Sequence, residues 1–277
     1  MIQFWNMISR GFAALFVVMS LFVYAVSADS TDVTIAETAS LDLQEARALF
    51  DAGDYAAARV AAEDIGTADA YILASETVTA TIILGHFKKP NAAAKEALSL
   101  AEKALALNPD DVDVRLQHAL TYGLVAQSTG DLKAWRKKLP VHLRNYIEGL
   151  RRDAPDDARG HALLGAWNLE IVNKIGERNA YKWYKANIEE GIASYETALK
   201  LANDDIIIKS NYGAAMILLD DMESAKKLLS AVMDVPPTNA AEIGFQKRVA
   251  ILIADLEGSN SKTLKKAAKA FLNNKPL

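Results

Sequence analysis

A short punctuation recurs three times in this chain: Asn108-Pro109-Asp110-Asp111, Ala154-Pro155-Asp156-Asp157 and Ala202-Asn203-Asp204-Asp205, each followed by a helical pattern. Proline lacks an N–H and pushes the residue before it out of the helical region, so it ends the preceding helix. The aspartates then cap the exposed N–H groups of the next helix and complement its dipole. Upstream of the first punctuation, Ala97, Ala101 and Ala104 recur at i, i+4 and i+7. That spacing clears one helical face so that a neighbouring helix can pack closely on it. A chain built this way is a series of helix hairpins rather than a sheet.

The stretch from Ala97 to Tyr122 resembles a tetratricopeptide (TPR) unit, with Ala119 and Tyr122 standing where the next helix carries its small residue and its aromatic. A first unit is similar from Leu41, through a turn at Gly53-Asp54-Tyr55, with its second helix opening at Ala58 and ending near Gly66. Ala58, Ala97, Leu143, Gly191 and Ala225, taken as equivalent points, give spacings of 39, 46, 48 and 34 residues, against a family period of about 34. The excess is assigned to residues 85–90, 126–140 and 172–185, all projecting from one edge. The family's pattern of a large residue, then LeuGly, then an aromatic stands here as His161-Leu164-Gly165-Asn168 and as Lys209-Tyr212-Gly213-Met216, with the small position kept and the Trp and Tyr often replaced. The resemblance implies an all-α, right-handed α-solenoid of about five units over residues 41–239. Capping helices follow over 240–277.

Composition narrows the class. The chain has 277 residues, 51% hydrophobic, with 14 glycines and 7 prolines, so it buries a large core and is mainly helical. Its zero cysteines exclude disulfides, thiolate metal sites and a cysteine nucleophile. A net charge of −4 argues against nucleic acid as a partner. Residues 1–28 read as a signal peptide: Arg10 precedes an apolar run, and Val26-Ser27-Ala28 offers small residues for cleavage after Ala28. The alternative is an uncleaved anchor that touches the membrane. Either way the body is expected outside the cytoplasm, in the periplasm or cell envelope. Residues 29–40 lack helical periodicity and read as a linker.

No motif for a hydrolase elbow, a zinc helix, a phosphate loop or a dinucleotide fold is present, so a non-enzymatic protein without cofactor or metal is expected. His118, His142 and His161 are better read as packing residues than as metal ligands, since no carboxylate lies one turn away as a co-ligand for the first or the last. Two sets of residues are candidates for binding. On the insertion edge, Trp135, Arg136, Lys137, Lys138, Lys182, Trp183 and Lys185 place aromatics beside cations in an acidic chain, which suits an anionic or sugar-bearing partner. Tyr181 and Tyr184, by contrast, fall on one helical face with Ile188, Tyr195 and Leu199 and are expected to cover the core. In the groove of first helices, the resemblance maps inward positions to Phe50, Leu84, Leu116, Leu120, Ala166, Leu169, Ile207 and Ile217. These residues depart from the family's Lys, Arg and Asn peptide-carboxylate clamp. Such an apolar groove fits an amphipathic helix or an acyl chain, unless the capping helix or a second subunit fills it. The expected function is an exported scaffold for protein–protein interaction, the alternative a transport-associated subunit holding a small apolar ligand.

Overall fold

The computed structural model describes residues 30–87 and 89–277; the signal-peptide expectation for residues 1–28 lies outside them. The described residues form fourteen α-helices and no strand. They are α1 (Ser30–Ala52), α2 (Tyr55–Ile65), α3 (Ala68–Ile83), α4 (Pro90–Leu107), α5 (Val112–Ser128), α6 (Asp131–Arg136) and α7 (Leu139–Asp153). They continue as α8 (Ala158–Ile175), α9 (Glu177–Tyr184), α10 (Ile188–Leu201), α11 (Ile206–Leu218), α12 (Met222–Met233), α13 (Ala240–Gly258) and α14 (Ser261–Leu272). Antiparallel pairs are α1/α2, α3/α4, α5/α7, α8/α10, α11/α12 and α13/α14, each stacked on the next. The small helices α6 and α9 are inserted into the third and fourth pairs.

The punctuation works as the sequence implies. Asp111 accepts from the Val114 N–H at 3.0 Å, Asp157 from Arg159 at 2.9 Å and Asp205 from Ile208 at 2.6 Å. Each cap contributes about 1 kcal/mol. Gly66 ends α2 in the left-handed region at φ 73°, which a residue with a Cβ adopts only under strain. The recurring small residues are put to close packing. A Cβ on Gly165 would lie 2.6 Å from the Tyr195 ring, and one on Gly213 would lie 2.8 Å from Leu229. Ala97, Ala101 and Ala104 are fully buried, and the Ser75 hydroxyl of α3 reaches across to the Ala97 carbonyl at 2.9 Å.

Two boundaries differ from the sequence reading. The helix expected to begin near Leu41 starts at Ser30, so the linker assigned to 29–40 is helical almost throughout. No glycine or proline interrupts residues 30–52, and a helix once nucleated propagates through residues of middling propensity. The second difference concerns the repeat. Second helices begin at Tyr55, Pro90, Leu139, Ile188 and Met222, which gives spacings of 35, 49, 49 and 34 residues. The second pair therefore follows the first at the ordinary period, and with α3 ending at Ile83 and α4 beginning at Pro90 no extra element lies between them. Ala97 sits one turn deeper in α4 than Ala58 sits in α2, because Pro90 starts α4 early; Ala93 is the equivalent point. Helices α6 and α9 are the two real insertions.

The last pair does more than cap. Helix α13 packs on α1, and α14 packs on α11. The Arg248 guanidinium of α13 donates to the Leu84 carbonyl at the end of α3 at 3.3 Å, and to the carbonyls of Phe271 at 3.4 Å and Lys275 at 3.0 Å. Gly244 and Gly85 sit in this seam: a Cβ on the first would meet Leu84 at 2.6 Å, and one on the second would meet Arg248 at 2.9 Å and Pro276 at 3.2 Å. Farther along, the Gln127 amide of α5 donates to the Leu272 carbonyl at 3.0 Å and accepts from Asn274 at 3.0 Å. The array thus returns on itself, and the C-terminus is stitched to the early helices.

Candidate functional site

Closure leaves a cavity of ≈ 990 Å³ inside the curved array. Its floor is α5, α8 and α11, through Leu120, Leu124, Ala166, Leu169 and Ile207, and the insertions α6 and α9 form a wall with Trp135 and Trp183. The C-terminal turn supplies another wall through Leu272, Asn273 and Asn274. A smaller space of ≈ 50 Å³ adjoins it, sharing Leu120, Ala166, Tyr195, Ile207 and Asn211 and reaching Leu116 and Gln117. The larger space is a partly open concavity of the array rather than a sealed void.

The insertions are held by their own small core. Leu143, Ile147, Leu164, Trp167, Val172, Ala180 and Ala186 form a buried cluster that Tyr184 packs against. The Trp167 indole donates to the Pro140 carbonyl at 2.9 Å, while the Arg144 guanidinium stacks over its ring at 4.9 Å and pairs with Glu190 at 2.9 Å. Lys174 of α8 reaches Asp131 of α6 at 3.7 Å and Glu170 at 3.0 Å, tying the first insertion to the floor. Both carboxylates hold its ammonium above the usual lysine range although burial opposes it. With α9 clamped through Ala180 and Tyr184, its opposite face carries Tyr181 and Trp183 outward, 57% and 64% exposed. Lys185 lies over the Tyr181 ring and Lys182 over the Trp183 ring, each at 4.9 Å.

The structure thus brings together candidates that the sequence placed in separate sets. Leu120, Ala166, Leu169 and Ile207 of the groove line the same cavity as Trp135 and Trp183 of the insertions, and Leu116 lines its annex. Arg136, Lys137, Lys138, Lys182 and Lys185 are exposed around those tryptophans. Three groove residues are packing instead. Phe50 is fully buried, edge-on to Tyr55 and beneath Arg47. Leu84 is sealed by Gly244 in the seam, and Ile217 is fully buried. Tyr181 was expected to cover the core and does not, because the helix breaks between Tyr184 and Ile188 and α10 takes a new direction at Lys185, φ 60°.

Sequence reasoning missed the cavity's other walls: Leu143, Ile147, Trp167 and Asn211. Asn211 was within reach, standing one turn after Ile207 on the same helical face. Of the histidines, His118 and His161 are packed against their neighbours, and His142 is exposed. His161 contacts the Pro155 carbonyl at 2.8 Å and Arg151 at 3.3 Å, and His118 packs edge-on to Tyr146, with burial lowering its pKa. Among the described residues no group of three or more His, Asp and Glu is placed to hold a metal ion, and no helix is long and apolar enough to cross a membrane.

No protein-family model and no curated protein matches the chain. Among solved structures it is similar to TTC0263, a thermophilic TPR protein of Thermus thermophilus, with a TM-score of 0.56 and 16% identity over 77% of this chain and 97% of that one. It is also similar to MamA, residues 41 to the end, from Desulfovibrio magneticus RS-1, with a TM-score of 0.42 and 16% identity over 71% and 94% of the two chains. The fold is therefore an all-α solenoid of TPR type.

Proposed function

We propose that this chain is a non-enzymatic scaffold of the cell envelope that holds a protein partner on the outer face of α6 and α9. One observation carries the reading: two short helices foreign to the repeat present Leu132, Trp135, Tyr181 and Trp183, each more than half exposed, and the first two and Trp183 stand at the wall of one cavity. A solenoid gains no packing from such side chains, and exposed aromatics beside cations are the composition of binding hot spots. Residues 131–138 carry four basic side chains against Asp131, and 177–185 carry three against Glu177, within a chain of net charge −4. The partner segment that complements this face is acidic and carries apolar side chains. Trp183→Ala combined with Lys182→Ala is expected to weaken partner capture at least tenfold, with the melting temperature within about 2 °C of wild type. A marked loss of stability with capture unaltered would show that these side chains are only core cover.

Export belongs to the same reading. Val26-Ser27-Ala28 after an apolar run of 16 residues supports cleavage, placing the mature N-terminus at or near Asp29. Sequencing the N-terminus of the exported protein checks this, and an intact Met1 in the membrane fraction would contradict cleavage.

A further inference from the structure

The interior of the cavity has a chemistry of its own, distinct from the basic outer face. At ≈ 990 Å³ it lies at the upper end of small-molecule sites, which run to about 1,000 Å³ and combine apolar walls with a few convergent polar groups. The charges that line it are two cations, Lys174 and Lys269, and three carboxylates, Asp131, Glu170 and Glu177. Lys174 is already held by two of those carboxylates. An anionic head therefore meets no positive excess inside.

Besides the tyrosines and tryptophans, the uncharged polar lining consists of carboxamides, and most are spoken for. Gln127 and Asn274 bond to each other, Asn273 donates to the Lys269 carbonyl at 2.7 Å, and Asn179 donates to the Ile175 carbonyl at 3.1 Å. Asn211 differs. It stands half-buried on α11 where the cavity and its annex meet, beside Ile207, Ala166 and Tyr195, and its side chain makes no hydrogen bond to another described residue. A carboxamide has two donors and an acceptor to satisfy. Half-buried and open to the cavity, this carboxamide offers a ligand group that both accepts and donates hydrogen bonds that the apolar walls around it do not.

We infer that the cavity binds an uncharged amphiphile of lipid size, with a hydroxyl or amide group at Asn211 and its apolar body along Leu124, Leu143, Ile147 and Leu169. The C-terminal turn, pinned through Gln127, adds a wall to the solenoid groove and deepens it. The site does not depend on the protein-scaffold reading, because it uses the inside of the array and none of the exposed cations.

Trp135, Trp167 and Trp183 all line the cavity, so the protein reports its own occupancy. Full-length mature protein is titrated with a monoacylglycerol carrying a dibrominated C18 chain, whose bromines quench nearby indoles, and with the corresponding dibrominated fatty acid. The expected result is saturable quenching by the glycerol ester at one molecule per chain, and at least tenfold weaker binding of the fatty acid. Asn211→Leu is expected to weaken the ester at least tenfold and to bring the two ligands to similar affinity. Should that variant melt early, Asn211→Ala, which only enlarges the space, is expected to give the same loss. The inference is overturned by any of three outcomes: no saturable quenching by the ester, ester binding unchanged in folded Asn211 variants, or occupation of the cavity by an acidic amphipathic peptide that the ester cannot displace.

Discussion

Ala101→Arg and Ala104→Arg are each expected to lower the stability of the fold by about 3 kcal/mol or more. Both side chains are fully buried, on the face of α4 that meets its neighbouring helices. Helix α4 packs against α3 on one side and α5 on the other, so it has little freedom to move away. A guanidinium introduced there must either part the helices or bury its charge without a counter-ion, and each alternative is among the few mechanisms that reach such magnitudes. Ala106→Arg, on the exposed side of the same helix, provides the control and is expected to change stability by no more than about 0.5 kcal/mol. Chemical denaturation followed by helical circular dichroism checks all three. Unchanged midpoints for both buried variants would mean that the helix register is wrong.

The second large effect is one of pH. Glu76, in the middle of α3, is 2% exposed, and its pKa is pushed up to about 7. Burial is the dominant cause; Arg47 of α1, bonded to one carboxylate oxygen at 2.6 Å, opposes it without overcoming it. Asp113 at the start of α5 raises the value further and Arg159 of α8 lowers it, while the other oxygen of Glu76 has no hydrogen-bond partner. With the folded pKa above the unfolded value of 4.5, the native state binds this proton more tightly than the unfolded chain does. Its stabilising contribution is complete below about pH 4.5, falls as pH rises through about 7, and is absent above it, a span worth about 3 kcal/mol. Other carboxylates titrate in the same region, so the measurement is a difference. Stability of the wild type minus that of Glu76→Gln is expected to decline between pH 4.5 and 7 and then level off. A flat difference across that range would show that Glu76 is ionised in the fold at every pH tested.

Much of this architecture is legible in the residues. Proline and aspartate act within a few positions of where they stand, so the helix stops near Asn108, Ala154 and Ala202 and the caps at Asp111, Asp157 and Asp205 follow from local chemistry alone. The small residues at helical spacing foretell close packing, and Gly165 and Gly213 are found with a neighbouring side chain where a Cβ would be. The extra length in the third and fourth units was visible as a departure from period, though one turn of slippage at Ala97 created a false insertion in the second. That error is characteristic of helices: a face rich in alanine repeats every turn, so nothing local marks which turn is equivalent.

The binding edge was half legible. Trp135 and Trp183 stand out because no helical stripe absorbs them, yet Tyr181 was misassigned since the break after Tyr184 depends on packing of Ala180 and Ala186 into a cluster that also draws on α7 and α8. What only the tertiary structure decided is the closure. Arg248, Leu84 and Lys275, or Gln127 and Leu272, are remote in sequence and carry no shared pattern, because a hydrogen bond to a backbone carbonyl leaves no trace in the identity of the residue that owns it. The small rotation between successive helix pairs accumulates over the array. Whether the last pair meets the first depends on that sum, and so does the existence of a cavity between them. The residues determined the hairpins and their caps by short-range chemistry; the apolar concavity, and the place of Asn211 within it, arise only where all the hairpins are added together.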